Sequence, residues 1–256
     1  MLFPTVESDP FMYYLTGITL MFMIGIAAGN YVTSIIYRLP KGLVIANDPP
    51  YCECERRMYL SKRDLFPFFS WFLNKGKCRF CDIRIPVTYT VVEFLCGFLF
   101  VVNWMEHGMG EKLILVLLVD CLLICVAAIY MNEGKFFPSL LFVLGGAGAI
   151  YRTLLDDTIM EFVAGGYLGL FLGIVLWCLE MLMQRQKKPF PDYAIALAIG
   201  GLCVGRDQLI VFFIIAFIIA CMVHALTCLP ERVRQSGWVF GSAISVMMAL
   251  SHGTPM

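Results

Sequence analysis

Four cysteines in a polar stretch are the residues best placed to do chemistry. Cys52 and Cys54 form one close pair, and Cys78 and Cys81 form a second. Two close pairs separated by a loop are how a short segment gathers four thiolates around a tetrahedral zinc ion. Lys75, Lys77 and Arg79 surround the second pair and favour the thiolate form that a metal requires. Disulfides and idle thiols are the other readings, and a disulfide needs an oxidising compartment. The spacing is C-x-C followed by C-x-x-C, where zinc knuckles more often use C-x-x-C twice. The other cysteines (Cys96, Cys121, Cys125, Cys178, Cys203, Cys221, Cys228) lie in or beside apolar runs. There a free thiol usually serves as a small buried hydrophobe.

The elements that must carry these residues are membrane-like. The chain has 256 residues, 60% hydrophobic and only 15% charged, with a mean hydropathy of +0.80. Soluble domains carry about 25% charge. The net charge of zero removes any electrostatic case for nucleic acid. Apolar runs over 11–36, 87–104, 113–130, 136–151, 162–183, 193–204, 209–226 and 238–250 approach the ~20 residues that cross a bilayer. The expectation is an all-α polytopic membrane protein of about eight transmembrane helices, with a small cytoplasmic zinc-binding insert after the first. That divides the chain into 1–40, the first helix and what precedes it; 41–86, the cysteine-rich insert; and 87–256, a seven-helix membrane domain. Residues 1–10 carry Glu7 and Asp9 and no basic residue, unlike the start of a signal peptide. Gly25 and Gly29 in the first run, and Gly165, Gly166, Gly169 and Gly173 in the fifth, predict faces packed closely on another helix.

Orientation follows from Lys and Arg in alternate loops. The side holding the insert, Lys135, Arg185–Lys188 and Arg232–Arg234 carries 16 of the 19 basic residues, and the other side has Lys112, Arg152 and Arg206. The insert is therefore expected in the cytoplasm, with both termini outside.

The order of motifs resembles the prepilin peptidases, bifunctional inner-membrane aspartic enzymes of type IV pilus and type II secretion systems. Ile35-Ile36-Tyr37-Arg38-Leu39-Pro40 is similar to the family's exit from its first span. The two cysteine pairs, Asp64-x-x-Pro67, Gly76-Lys77-Cys78-Arg79-Phe80-Cys81 and Tyr89-x-x-Val92-Glu93 follow in the family's order, and the resemblance covers nearly the whole chain. It implies cleavage of the basic leader of type IV prepilin or pseudopilin substrates at the cytoplasmic face of a bacterial inner membrane, in contact with lipid. It also implies N-methylation of the new amino terminus from S-adenosylmethionine, although the insert contains no nucleotide-type glycine motif.

Such enzymes use two aspartates near the cytoplasmic ends of two spans, one ionised and one protonated. The family's G-x-G-D motif falls in register on Pro189-Phe190-Pro191-Asp192, ahead of Ala198-Ile199-Gly200. The acid is kept, while proline replaces backbone that glycine would leave free. The family's other aspartate lies seven residues before the proline of Phe137-Pro138, and Met131 stands there. Glu133, two residues on, is the nearest acid. It is expected either as the partner of Asp192 or as a solvated turn residue. Asp120 lies eleven residues before Met131, ~16 Å deeper at 1.5 Å per residue. Burying an acid in a span is costly, which marks Asp120 as a functional candidate. Its depth favours packing, protonated, against a Ser, Tyr or Cys of a neighbouring span. Glu180 and His224 read as snorkelling or packing groups, while His107 and His252 fall on the outer side. Two function classes stay open: an active aspartic peptidase, and a catalytically inactive homologue that binds pilins as an assembly factor. A transporter is a distant third, since no inverted repeat is visible.

Overall fold

A computed structural model describes residues 10–44, 71, 74–78, 81–153, 159–184, 192–206, 208–225 and 237–251. Cys52, Cys54, Asp64, Pro67, the 185–191 stretch and His252 lie outside the described residues, as do the side chains of Glu180 and His224.

The described elements are helices: α1 (Pro10–Arg38), α2 (Val87–His107), α3 (Glu111–Glu133), α4 (Pro138–Thr153), α5 (Ile159–Gln184), α6 (Asp192–Val204), α7 (Leu209–Ala225) and α8 (Gly237–Ser251). Among the described residues there is no β-strand beyond one isolated bridge. By length and composition α1, α2, α3 and α5 can cross a bilayer, while α6, α7 and α8 are shorter apolar helices. The outside of the bundle is as apolar as its inside. Phe94, Phe98, Phe142, Tyr167, Phe171 and Phe217 are all exposed. In water such a surface would aggregate, and in a bilayer it meets lipid.

Apolar runs located the helices, and their ends moved for physical reasons. Glu106, His107 and Glu111 were expected in a loop, yet α2 runs to His107 and α3 starts at Glu111. A helix continues past its apolar stretch into the interface, where polar side chains are solvated. The fourth helix was expected from 136 but begins at Pro138, because proline fits the first helical position, whose N–H has no partner within the helix. α3 ends on Gly134 in the left-handed conformation (φ 67°), with the Gly134 N–H donating to the Tyr130 carbonyl.

Glycine faces bring the helices together as expected. A Cβ on Gly25 would lie 2.7 Å from the Cys96 carbonyl oxygen, and one on Gly29 would lie 2.6 Å from the Glu93 Cα, so α1 and α2 touch backbone to backbone. Gly165, Gly169 and Gly173 do the same for α5 against Gly201, Leu197 and Ala194 of α6. Without a hydrophobic drive between helices in lipid, this close approach supplies much of the packing attraction. The centre is made by α3, which meets α1, α2, α4 and α8. Val116, Val119, Leu144, Leu197 and Val246 there are fully buried.

Contacts between helix ends follow an up-and-down order. His107 Nε2 donates to the Leu250 carbonyl at 2.8 Å, joining the last turns of α2 and α8. Arg206 pairs with Glu161 at 3.1 Å, and Arg152 packs against Gly205, which brings together the end of α4, the start of α5 and the α6–α7 turn. Tyr130 and Asp192 join the end of α3 to the start of α6. In each case the two ends are ones that alternation puts on the same side.

Candidate functional site

The described part of the insert is a small knuckle. The Cys78 N–H donates to the Ile83 carbonyl (2.8 Å), and the Asp82 N–H donates back to the Cys78 carbonyl (2.9 Å). Lys77 and Arg84 bridge in antiparallel fashion beside them. The turn needs left-handed backbone at Lys75, Gly76 and Asp82 (φ 52°, 69° and 55°). Trp71 covers Gly76, and its indole N–H donates to the Ile85 carbonyl at 3.2 Å. Cys78 is buried and Cys81 half-buried, both on one tight turn. This is a C-x-x-C arrangement that can offer two ligands to one ion. Cys52 and Cys54, the other expected ligands, lie outside the described residues.

The acids are organised around the end of α3. Asp192 is the first residue of α6, where amide N–H groups without helical partners gather. It is half-buried, and the Tyr130 hydroxyl donates to its Oδ2 at 2.9 Å. The Phe136 ring stacks on the Tyr130 ring, with centroids 4.7 Å apart and planes 29° apart. Tyr130 is the neighbour of Met131, which is itself half-buried. Phe136 also lines a cavity of about 20 Å³. Its lining includes Leu123 and Val126 of α3, Phe136, Ala196 of α6 and Ser242 of α8, so it is nearly all apolar.

Glu133, the acid expected to partner Asp192, is the last residue of α3 and is exposed. Among the described residues it makes no hydrogen bond to Asp192. The residue brought to Asp192 is Tyr130, which the sequence reading did not single out. The signal was present in the form of a side chain with a transferable proton one position from Met131.

Asp120 sits where its depth placed it, 1% exposed in the middle of α3. Its partner is on a neighbouring helix, but it is an amide, not the expected Ser, Tyr or Cys. Asn103 of α2 donates through Nδ2 to Asp120 Oδ2 at 2.8 Å and to the Leu99 carbonyl at 2.9 Å. This pair belongs to the α2–α3 packing, whereas Asp192 is held at the end of α3. Glu93 of the Tyr89-x-x-Val92-Glu93 motif is buried, its backbone against Gly29.

The Bacterial Peptidase A24 N-terminal domain model matches residues 23–107, which run from the second half of α1 through the insert to the end of α2. The prepilin leader peptidase/N-methyltransferase of Klebsiella pneumoniae is 26% identical, over 71% of this chain and 82% of its own. The protein of that name from Aeromonas salmonicida (strain A449) is 24% identical, over 75% of this chain and 74% of its own. The one from Aeromonas hydrophila is 22% identical, over 93% of this chain and 89% of its own. The chain is thus similar, over most of its length, to proteins named prepilin leader peptidase/N-methyltransferase. No solved structure matches it. The A24 match covers the knuckle and the α1–α2 packing. The matches to whole relatives extend further, to the region of Tyr130 and Asp192.

Proposed function

We propose that this protein is an aspartic peptidase that removes the basic leader of type IV prepilin-like substrates, with Asp192 as its acid–base group. The observation that carries this reading is the half-buried Asp192 carboxylate, held at the start of α6 by a hydroxyl from α3. A carboxylate in that setting can take a proton from a water attacking a peptide bond and return it to the leaving nitrogen. Sixteen of nineteen basic residues on the insert side support a cytoplasmic position for the insert and the site, in a bacterial inner membrane. All eight helices cross the bilayer on this reading, the shorter ones beside long neighbours.

In the two-carboxylate form of this chemistry Glu133 is the second acid. Because Glu133 stands in solvent, that form requires the α3–α4 turn to move when substrate binds. Cys78 and Cys81 fit zinc by ligand type and by sharing one tight turn, and Cys52 and Cys54 complete the set. A bound zinc would hold the insert folded. S-adenosylmethionine is the methyl donor that the family name implies. No residue of the described insert marks a place for it.

The second reading is a pilin-binding homologue that does not cut, and Met131 in the family's aspartate position favours it. Membranes containing the wild type or Asp192→Asn, incubated with a cognate prepilin, separate the two. The peptidase reading expects leader cleavage by the wild type and none by the variant. Co-purification of prepilin without cleavage by the wild type would establish the second.

A further inference from the structure

The Tyr130–Asp192 hydrogen bond has a feature that the two-carboxylate form leaves unused. Met131 has no transferable proton, Glu133 is exposed, and Asp120 is engaged with Asn103 deep in the bundle. Tyr130 has a proton donor already 2.9 Å from Asp192 Oδ2. Its ring is stacked on Phe136, which fixes the direction of its hydroxyl. A peptidase needs one group to activate water and a second to stabilise the oxygen that gains charge as water adds. Both groups must lie about 3 Å from a shared point.

We infer that Tyr130 is the second catalytic residue of this prepilin peptidase, its hydroxyl donating to the scissile carbonyl oxygen while Asp192 activates the water. The inference rests on the peptidase reading above. In the free protein the hydroxyl is parked on Asp192. Turning the O–H about its C–O bond re-aims the proton without moving a heavy atom. In the reaction, water oxygen bonds to the carbonyl carbon and one water proton goes to Asp192. The carbonyl π pair moves onto oxygen, which accepts the Tyr130 hydrogen bond. Collapse reforms the C=O bond and breaks the C–N bond, and the proton on Asp192 passes to the leaving nitrogen. Tyr130 remains a neutral phenol throughout, and peptide and water are the only reactants. A neutral tyrosine donating to an oxyanion in a low-dielectric site is established chemistry in other enzymes.

The test is prepilin cleavage in membranes by the wild type, Tyr130→Phe, Glu133→Gln, Asp192→Asn and the Tyr130→Phe/Asp192→Asn double variant, with kcat and KM measured separately. Phenylalanine keeps the ring and its stack on Phe136. Tyr130→Phe is expected to lower kcat about 10²- to 10³-fold, the loss typical of one oxyanion donor. KM stays near the wild-type value, because the bond forms fully only in the transition state. The double variant should be no slower than Asp192→Asn, since groups acting as a unit are not additive. Glu133→Gln should lose less than Tyr130→Phe. A Tyr130→Phe enzyme with wild-type kcat, or a larger loss in Glu133→Gln, would overturn the inference and leave the peptidase reading standing. A wild type that cannot cleave, or an Asp192→Asn enzyme that cleaves normally, would overturn both. Should Tyr130→Phe not accumulate, fluorotyrosine at position 130 keeps the shape and acidifies the hydroxyl. A donor role expects kcat to change with that acidity, and an unchanged kcat would refute it.

Discussion

Replacing Asp120 tests whether the acid deep in α3 is structural. Asn103 and Asp120 are 0% and 1% exposed, and the Asn103 amide divides its two hydrogens between Asp120 Oδ2 and the Leu99 carbonyl. Asp120→Leu leaves one of those N–H donors without an acceptor. An orphaned buried donor costs about 1–3 kcal/mol. Asn103→Leu in turn orphans the Asp120 carboxyl, whose Oδ1 already has no partner among the described residues. Replacing both residues by leucine removes donor and acceptor together, which is close to neutral apart from shape. The difference isolates the bond. Interhelical side-chain bonds in membrane proteins average ~0.6 kcal/mol and reach ~1.7, because the unfolded chain in lipid also finds partners. A coupling of about 1 kcal/mol is therefore expected, roughly a fivefold change in the folded-to-unfolded ratio. The four proteins would be compared by reversible SDS unfolding in mixed micelles, followed by circular dichroism, with prepilin cleavage measured alongside. Additive costs for the two single variants would show that the bond does not couple α2 to α3. Loss of cleavage in Asp120→Asn, with unfolding unchanged, would move Asp120 from packing into the chemistry.

Gly169→Leu should abolish folded protein in membranes, since its Cβ would run into the Leu197 carbonyl and push α5 off α6. Gly146→Ala, with open space around its Cβ, should stabilise α4 by about 0.5–1 kcal/mol in the same unfolding assay. Purified protein should contain about one zinc per chain by elemental analysis. The Cys78→Ser/Cys81→Ser variant should lose that metal and become protease-sensitive within the insert, and retention of the metal by the variant would remove this pair from the site. A periplasmic reporter enzyme fused after Thr153 should be active and one fused after Gln184 inactive, and the reverse pattern would invert the proposed orientation.

The architecture was legible from single residues because lipid leaves so few options. A chain in hydrocarbon must satisfy its backbone within each helix, so long apolar runs translate directly into elements. Glycines spaced along one face translate into close contacts, as Gly25 and Gly29 on α2 and Gly165, Gly169 and Gly173 on α6 demonstrate. The site was harder to read for the opposite reason. Asp192 was read from a motif register without its glycines, and Glu133 was chosen as the carboxylate nearest in sequence to Met131. Sequence distance is a poor guide at a helix end, where consecutive side chains diverge by 100° and one more residue passes into a left-handed turn. Tyr130 and Glu133 are both within a turn of Met131, yet one reaches Asp192 and the other faces solvent. A tyrosine at the end of an apolar helix is ordinarily an interfacial anchor, its ring in the headgroup layer and its hydroxyl in water. What separates Tyr130 from that role is a partner 62 positions away and the Phe136 ring stacked on its own. Both depend on how α6 and the α3–α4 turn pack, which no local pattern encodes. On the proposed reading, methionine at position 131 therefore leaves room for chemistry at Asp192, because a proton donor stands beside that carboxylate at the adjacent position.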